Sequence, residues 1–588
     1  MYFRLALPPR GTLLSALSLA VVALALAGCA RNTEPIPPRY AVVRFENLSG
    51  NPDFEWTGRA ASELLSRTLA RAMDGPVIAD TAISRMTAAR GDRPAAAPGI
   101  SSERVAAQLS GATRLITGYV EQVASGIRLT AVEDELPTGK RVRTVSVVES
   151  SPMKALTALA RAISPKAGAY ETANEEAFRL YCVGREAPAD TAAKDLEQAI
   201  QKDPGFGPAW EALIGIDTAR GDRAAAEALL ARARQQKLEP LTMANLDLES
   251  AILQGDQKAK LAALKRVSSL SPGDTVLRRS LAESESVAGQ FAEAAADWQK
   301  LREVLPTDPD VWNQLGYAQA WSGDYTGAVA TMEGYSKLRP DDPNPMDSLG
   351  DVHYMHRKFA EAAAVYQRNA KKFPQFLAGG DLYKAAWARY LAGDKAGADA
   401  AFAEFKKVRE KSGNFALLSA EWLYGTGRRK EAIADLQKAI AENSDKAPER
   451  AAWLGQLAIW ELLAGDRAIA AKHAEALGTP SGPGAFLVRF VTMPSASASE
   501  WQTRADRMMP APALAPLRRL AVGYALLLDG KKDAAQPIWK EIADSAPGTD
   551  FALKAVYSKL RGEQPRLALP PDPSTVNPFA AVLQSIPR

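Results

Sequence analysis

The chain has 588 residues, of which 47% are hydrophobic and 24% charged, which is ordinary for a folded protein but too much sequence for a single core. Lysine and arginine together number 72 against 68 aspartate and glutamate residues, giving a net charge of +4. This balance, and the lack of a basic stripe with interleaved aromatic residues, argue against a nucleic-acid partner.

The first predicted element is a targeting segment. An apolar run at residues 12–27 follows two arginines, and it is too short and wrongly flanked for a permanent transmembrane helix. The run ends in the sequence Leu-Ala-Gly-Cys at residues 26–29, which resembles the lipobox of bacterial lipoproteins. The resemblance implies that residues 1–28 are a signal peptide and that Cys29 becomes the lipidated first residue. An ordinary secretory signal with a chance cysteine is the alternative.

The residues after Cys29 predict a membrane anchor and a tether. No aspartate directly follows this cysteine, so we expect an anchor in the outer membrane that faces the periplasm. Residues 29–39 are polar and contain proline, which is typical of a short tether. Cys182 is the only other cysteine, so no intramolecular disulfide is expected once Cys29 is lipidated. We expect Cys182 to be a buried structural thiol.

Residues 40–165 predict a small α/β domain. The elements are a strand at 40–47, a helix at 54–73, a strand at 77–79, a helix near 82–90, a loop at 91–100, a helix at 101–110, strands at 113–123, 126–135 and 139–149, and a helix at 152–163. The last three strands alternate in polarity and are separated by turns, which indicates an antiparallel meander.

Three stretches of this domain carry a family resemblance. AVVRFENLSGNPDFEW, GATRLITGYVEQ and IRLTAVEDELPTGKRV resemble the TolB-like N-terminal domain that precedes helical repeats in bacterial envelope and regulatory proteins. The loop at 91–100 and the absence of an aromatic residue after Thr138-Gly139 depart from that pattern. The matching residues form turns and core, so the resemblance implies a fold and no chemistry.

Internal repeats begin near residue 172, where the strand signals end. Two sets of residues share a 34-residue period: Pro306, Pro340 and Pro374, and Gly221, Gly255, Gly289 and Gly323. The clearest unit, residues 309–342, contains Trp312, Leu315-Gly316, Ala328 and Pro340, and it resembles the tetratricopeptide repeat. The resemblance implies a mostly α fold, a solenoid of helical hairpins, after the small α/β domain.

The repeat pattern also predicts domain boundaries. We expect a repeat array of about nine helix pairs over residues 173–478, with a slip of two residues near 376. Residues 479–515 contain five prolines and indicate a degenerate helix pair or an inserted loop. Residues 516–562 predict a last unit with a capping helix, and residues 563–588 a proline-rich tail that is extended, disordered or docked.

Catalytic signatures are missing from the sequence. It contains no phosphate-binding loop, dinucleotide fingerprint, zinc-protease motif or nucleophile elbow, and only three histidines. We therefore predict no enzyme activity, no cofactor and no metal. His353 and His356, three apart on one helix, would be the metal candidates; the preferred interpretation places His353 between helices and His356 in solvent.

A partner-binding face is implied by the repeat resemblance, because the first helix of each unit lines the concave side of such arrays. The implied residues are Asn313, Tyr317, Trp321, Asp347, Asp351, Tyr354, Tyr383, Trp387 and Tyr390. Aromatic residues mixed with carboxylates are typical of interaction hot spots. In the alternative interpretation, Trp321, Trp387 and Tyr354 pack between adjacent units.

The predicted function is a membrane-anchored scaffold that binds protein or peptide segments in envelope assembly, secretion or signalling. Two alternatives remain open. The groove binds an envelope glycan or another polymer through its aromatic and acidic side chains, or the α/β domain binds a ligand and the repeats relay that state.

Overall fold

A computed structural model of the chain describes residues 38–70, 72–73, 75–89, 102–136, 138–412, 414–443, 449–478, 482–573, 578–580, 582 and 586. The predicted signal peptide, Cys29 and the loop at 91–100 lie outside the described residues. Within those residues, no helix combines the length and the apolar character needed to cross a membrane.

The chain divides into two compact units. Unit 1 comprises residues 1–242 and 271–274, and unit 2 comprises residues 243–270 and 275–588. The division therefore falls inside a helix of the repeat region, whereas the sequence changes in composition at residues 165–173.

Unit 1 contains a mixed sheet in the order β3-β1-β4-β5-β6, with β2 also paired to β4. Its strands are β1 Tyr40–Val42, β2 Glu46–Asn47, β3 Val77–Ile78, β4 Arg114–Val123, β5 Gly126–Glu135 and β6 Arg141–Glu149. β1 runs parallel to β3 and β4, and the predicted antiparallel meander of β4, β5 and β6 is confirmed. The single strand predicted at 40–47 is interrupted and forms two short strands. At the interruption, the N–H of Phe45 donates to the carbonyl of Gly58 at 3.1 Å instead of to a neighbouring strand.

Helices surround this sheet and continue into the first repeats. The described helices up to residue 233 are α1 Trp56–Leu69, α2 Asp80–Ala89, α3 Ser102–Leu109, α4 Pro152–Ile163, α5 Glu175–Glu186, α6 Ala189–Lys202, α7 Gly207–Arg220 and α8 Arg223–Ala233. α4 begins where Pro152 occupies the first turn and the hydroxyl of Ser151 accepts from the N–H of Lys154.

A buried ion-pair network within unit 1 joins the first repeat helix to the α/β domain. Arg59 of α1 donates to Asp80 Oδ1 at 3.1 Å and to Glu103 Oε1 at 2.5 Å, and only 4% of Arg59 is exposed. Arg185 of α5 pairs with Asp80 as well and donates to Glu63 Oε2 at 3.1 Å. The first helix of the repeats is thus tied to two helices of the α/β domain.

The remaining helices form successive antiparallel pairs. α9 Pro240–Gln254 crosses the division, and the helices that follow are α10 Gln257–Leu270, α11 Thr275–Val287, α12 Phe291–Val304, α13 Pro309–Ser322, α14 Tyr325–Leu338, α15 Asn344–Met355, α16 Phe359–Lys372, α17 Gly380–Leu391, α18 Lys395–Arg409, α19 Phe415–Gly425, α20 Arg429–Glu442, α21 Arg450–Ala464, α22 Arg467–Glu475, α23 Pro483–Val491, α24 Ala498–Met508, α25 Ala515–Leu528, α26 Lys532–Ser545 and α27 Phe551–Leu560. The expectation of a mostly helical chain is confirmed.

Some tight hairpins, such as the one between α13 and α14, have a glycine followed by a capping residue. Gly323 ends α13 with φ 101°, a left-handed conformation that glycine adopts without steric strain. The side chain of Asp324 then accepts from the N–H of Gly327 at 2.9 Å and caps α14. Gly316 faces Met332, so the missing Cβ allows the two helices to approach closely.

The two predicted interruptions of the repeat pattern, near residue 376 and at 479–515, consist of short helical elements. The slip near 376 is a 3₁₀ turn, Phe376–Ala378, inserted between α16 and α17. The proline-rich stretch 479–515 contains the helix pair α23 and α24 and the 3₁₀ turn Pro512–Leu514. Ser497 and Glu500 form a reciprocal capping box at the start of α24.

Unit 2 closes on itself after eight helix pairs, α11 to α26. The N–H of Gly548 donates to the carbonyl of Val287 at 2.5 Å, and the Phe551 ring stacks on Phe291 at a centroid distance of 5.6 Å. We call this contact the seam. It joins the start of α27 to the loop between α11 and α12.

Candidate functional site: a groove filled by the C-terminal segment

The nine predicted partner-binding residues lie on three neighbouring helices. α13 carries Asn313, Tyr317 and Trp321, α15 carries Asp347, Asp351 and Tyr354, and α17 carries Tyr383, Trp387 and Tyr390. All nine are buried or half-buried. They separate into a polar cluster and a set of packed aromatic rings.

The polar cluster is organised around Lys384 of α17. Its Nζ donates to Asp347 Oδ1 at 2.6 Å and to Asp351 Oδ1 at 2.9 Å. The hydroxyls of Tyr366 and Tyr317 donate to the two oxygens of Asp351 at 2.6 and 3.1 Å. The cluster therefore links four helices through one carboxylate. Asn313 joins it indirectly, by accepting from the Ser348 hydroxyl at 3.0 Å.

Burial controls the charge of this cluster. It raises the pKa of Asp347 to about 7 and that of Asp351 to about 6, although the Lys384 ammonium opposes both shifts. Burial also raises the pKa of Asp381, whose Oδ2 accepts from Asn369 at 2.6 Å. Lys384 is 6% exposed, so the cluster joins helices and presents little surface to a partner. Among the described residues, no group of histidine, cysteine or acidic side chains is arranged to hold a metal.

The aromatic residues mainly pack against one another and against neighbouring repeats. Tyr354 and Tyr383 are only 5% and 3% exposed, so neither offers an open binding surface. Trp387 lies with its centroid 5.0 Å from that of Trp422 and packs where Gly425 lacks a side chain. These contacts favour the alternative interpretation, packing between units, for Tyr354 and Trp387.

Trp321 packs instead against the C-terminal part of the chain. Its ring stacks on Tyr317 at 5.7 Å and lies 6.0 Å from the ring of Phe551 in α27. The predicted binding face is thus partly covered by a helix from the end of the same chain.

The histidines and the cysteine have structural surroundings. His353 is 9% exposed, and its Nδ1 lies 2.9 Å from the Tyr325 hydroxyl. The expectation that His356 faces solvent is wrong, because it is half-buried with Nε2 3.1 Å from the carbonyl of Ala320. Cys182 is fully buried, as expected, and burial raises the pKa of its thiol.

Residues 565–573 run across the ends of α15 and α17. The N–H of Ala568 donates to the carbonyl of Met355 at 3.0 Å. Leu567 is 5% exposed and belongs to the same buried apolar cluster as Met355. We call the surface that receives this segment the tail groove. Its residues are Met355, Arg357, Trp387 and Gly380, together with the apolar side chains around them.

Arg357 holds the main chain of the segment. Its guanidinium donates to the carbonyls of Pro565 at 2.5 Å and Arg566 at 3.3 Å. Arg566 in turn lies with its guanidinium 5.8 Å from the ring centroid of Phe291. The segment is therefore fixed through backbone carbonyls, which any extended peptide possesses.

The backbone of Arg357 is strained. It has φ 59°, a left-handed conformation that costs a residue with a Cβ about 1–2 kcal/mol. In the hairpins that precede it, the corresponding position is Gly221, Gly255, Gly289 or Gly323, each with positive φ. The interruption of the glycine period at residue 357 was visible in the sequence, and it is the signal that could have identified this residue.

Comparison with known families identifies one repeat. Residues 382–412, which cover most of α17 and α18, match the family described as tetratricopeptide repeat. The chain contains a tetratricopeptide repeat (TPR). No curated protein matches the chain.

Several solved structures match parts of the chain. MamA protein is 18% identical over 30% of this chain and 96% of that chain, with a TM-score of 0.26. YrrB, described as a TPR protein with an unusual peptide-binding site, is 16% identical over 30% of this chain and 91% of that chain, with a TM-score of 0.25. The structure of Naa15/Naa10 bound to HypK-THB is 12% identical over 66% of each chain, with a TM-score of 0.34. These similarities say nothing about what this chain binds.

Proposed function

We propose that this protein is a peptide-binding TPR scaffold and that the tail groove receives an extended segment of its partner. TPR proteins in general bind proteins or peptides. The observation that carries the proposal is the bound state of residues 565–573, which lie in the groove with their backbone hydrogen-bonded to Met355 and Arg357.

A photo-crosslinking residue placed beside the groove tests this proposal. Leu391 lies one turn beyond Trp387 on α17 and is 46% exposed, whereas Ile252 on α9 is 47% exposed and serves as the matched control. We expect position 391 to give adducts that map to one extended segment of a defined partner. Identical adducts from both positions would contradict the proposal, because they would report contacts unrelated to the groove.

The scaffold is proposed to work in the bacterial envelope, anchored to the outer membrane through a lipid on Cys29 and with its TolB-like domain next to the membrane. The support is the Leu-Ala-Gly-Cys sequence at residues 26–29 after an apolar run. Incorporation of labelled palmitate into the full chain, lost in Cys29→Ser, is the expected result. Equal palmitate labelling of the wild-type protein and of Cys29→Ser would contradict a lipid anchor on Cys29.

The structure gives little support to glycan binding. Sugar recognition by aromatic residues needs open ring faces, but the Trp321 ring is stacked on Tyr317 and packed against Phe551. The predicted acidic residues Asp347 and Asp351 are engaged by Lys384. The peptide function is therefore the one that the geometry supports best.

A further inference from the structure

Few side chains of residues 565–573 are buried in the tail groove, although the chain is anchored again further on, where the Phe579 ring stacks on Tyr524 at 4.1 Å. Between residues 565 and 573, only Leu567 and Pro573 are buried, and the other residues are half-buried or exposed. Pro573 lies over α17, where a Cβ at Gly380 would be 3.4 Å from its Cγ. Two buried anchors six residues apart therefore hold the segment at two neighbouring repeats.

The composition of the segment suits reversible binding. Its sequence is Pro-Arg-Leu-Ala-Leu-Pro-Pro-Asp-Pro, so four of nine residues are proline. A proline-rich chain favours the polyproline conformation, which has no internal hydrogen bonds and in which six residues span about 19 Å, although this segment bends at Arg566 and Leu567. That length matches the distance between the two anchors, because Leu567 lies at the C-terminal end of α15 and Pro573 at the N-terminal end of α17, a 12-residue helix about 18 Å long. The segment thus loses little conformational entropy on docking, and no secondary structure breaks when it leaves.

The groove recognises the segment mainly through its backbone. Met355 and Arg357 contact one N–H and two carbonyls of residues 565–568, and these groups are present in any extended chain. Selectivity comes from the burial of Leu567 and Pro573. Arg357 has a strained backbone at a position where the preceding hairpins have glycine, and its guanidinium makes two of these three backbone contacts.

We propose that residues 565–573 are a built-in ligand of the tail groove, and that the partner presents an extended proline-rich peptide with a leucine anchor that displaces them. The inference rests on the proposed function, since it names the chemistry of the peptide and the state of the unliganded groove. The attached segment competes at an effective concentration of about millimolar, so a free peptide of the same sequence binds the wild-type protein weakly.

Titration of the full-length protein with a fluorescent peptide of residues 563–573 tests the inference. Leu567→Asp disfavours burial of the attached segment, and we expect it to tighten peptide binding about tenfold by freeing the groove. Adding Arg357→Gly should weaken that binding again, because the clamp is lost while glycine suits the backbone. Leu569→Ser, at a side chain that is 39% exposed, should match the wild type.

A second variant covers the case in which Leu567→Asp impairs folding. Ala568→Pro removes the N–H that bonds to Met355 and should also tighten peptide binding. Equal peptide affinity in wild type, Leu567→Asp and Ala568→Pro would overturn the inference while leaving peptide binding by the groove intact. A peptide that binds none of the variants, each with unchanged helical circular dichroism, would overturn both the inference and the proposed function.

Discussion

The N–H of Ala568 donates to the carbonyl oxygen of Met355, the last residue of helix α15, at 3.0 Å. Arg357 follows two residues later and donates to two carbonyls of the same segment. One helix end therefore supplies both an acceptor and a donor to an extended chain. This pairing joins the end of α15 to residues 565–568.

Replacing Arg357 separates the role of its backbone from that of its side chain. Both Arg357→Gly and Arg357→Ala remove the guanidinium, but only glycine accommodates φ 59° without strain. We expect the glycine variant to have a free energy of unfolding about 1 kcal/mol above that of the alanine variant. Urea unfolding followed by circular dichroism measures the difference, and equal stability would argue against backbone strain at this residue.

The buried ion pairs of unit 1 predict a strong dependence on Arg185. Arg185→Ala leaves Asp80 and Glu63 buried with fewer partners, and loss of one side of such a pair costs about 3–5 kcal/mol. We expect a clear fall in the melting temperature of unit 1 at pH 7. Arg179→Ala, on the same helix but in an exposed pair with Glu176, is the control and should change little.

At low pH, Arg185→Ala should lower the melting temperature of unit 1 by less than it does at pH 7. Burial alone would raise the pKa of Asp80, but Arg185 and Arg59 outweigh it and lower the pKa to about 2. A lowered carboxylate pKa stabilises the fold above the unfolded value near 4, and this stabilisation is lost as the pH falls toward 2. An effect of Arg185→Ala that is as large at pH 2 as at pH 7 would exclude charge pairing as its cause.

The polar cluster around Lys384 predicts that the stability of unit 2 depends on pH in the opposite direction to the stability contributed by Asp80 in unit 1. Because the pKa of Asp347 in the fold is about 7, the folded state binds more protons than the unfolded state between about pH 4 and 7. Stability therefore falls as the pH rises through this range. Asp381 contributes to the raised pKa of Asp347, and its own pKa is raised by burial.

Asp381→Asn should flatten this dependence. Removing the second acidic group lowers the pKa of Asp347, so we expect the melting temperature of unit 2 to drop about 1–3 °C less between pH 5 and 8 than in wild type. Calorimetric scans at both pH values measure it. Asp394→Asn, at an exposed helix cap, should leave the wild-type slope, and an unchanged slope in Asp381→Asn would contradict the assignment.

The seam predicts an unusual sensitivity at Gly548. A Cβ there would collide with backbone atoms of Gly289 and Ser286, which cannot move as a flexible side chain does. We expect Gly548→Ala to destabilise unit 2 by about 1–3 kcal/mol. Gly484→Ala, which meets open space, is the matched control and should be neutral or stabilising. Equal melting temperatures for the two variants would show that the seam contributes nothing to stability.

The sequence predicted those helices and strands that are determined by residues close together in the chain. The helix at 152–163 has the predicted bounds, because Pro152 marks its first turn and its apolar residues follow helical spacing. The repeat period likewise placed the start of α13 at Pro309. Each of these features is decided by residues a few positions apart.

Exposure within the candidate site could not be predicted in the same way. Whether Trp321 faces a groove or a neighbour depends on Phe551, and the docking of Leu567 depends on the end of α15. Both are contacts between residues far apart in the chain, which a repeat pattern does not encode. The attachment of α5 to the α/β domain likewise depends on distant residues, since Arg185 contacts Asp80 and Glu63.

The seam also limits how this protein can change in length during evolution. Open repeat arrays gain and lose units easily, because each repeat contacts only its neighbours and the ends are free. Here Gly548 must meet Val287 after eight pairs, so deletion or duplication of one pair would displace α27 from its docking site. Related chains that keep the seam should therefore vary in their loops and conserve the number of repeats between residues 275 and 545.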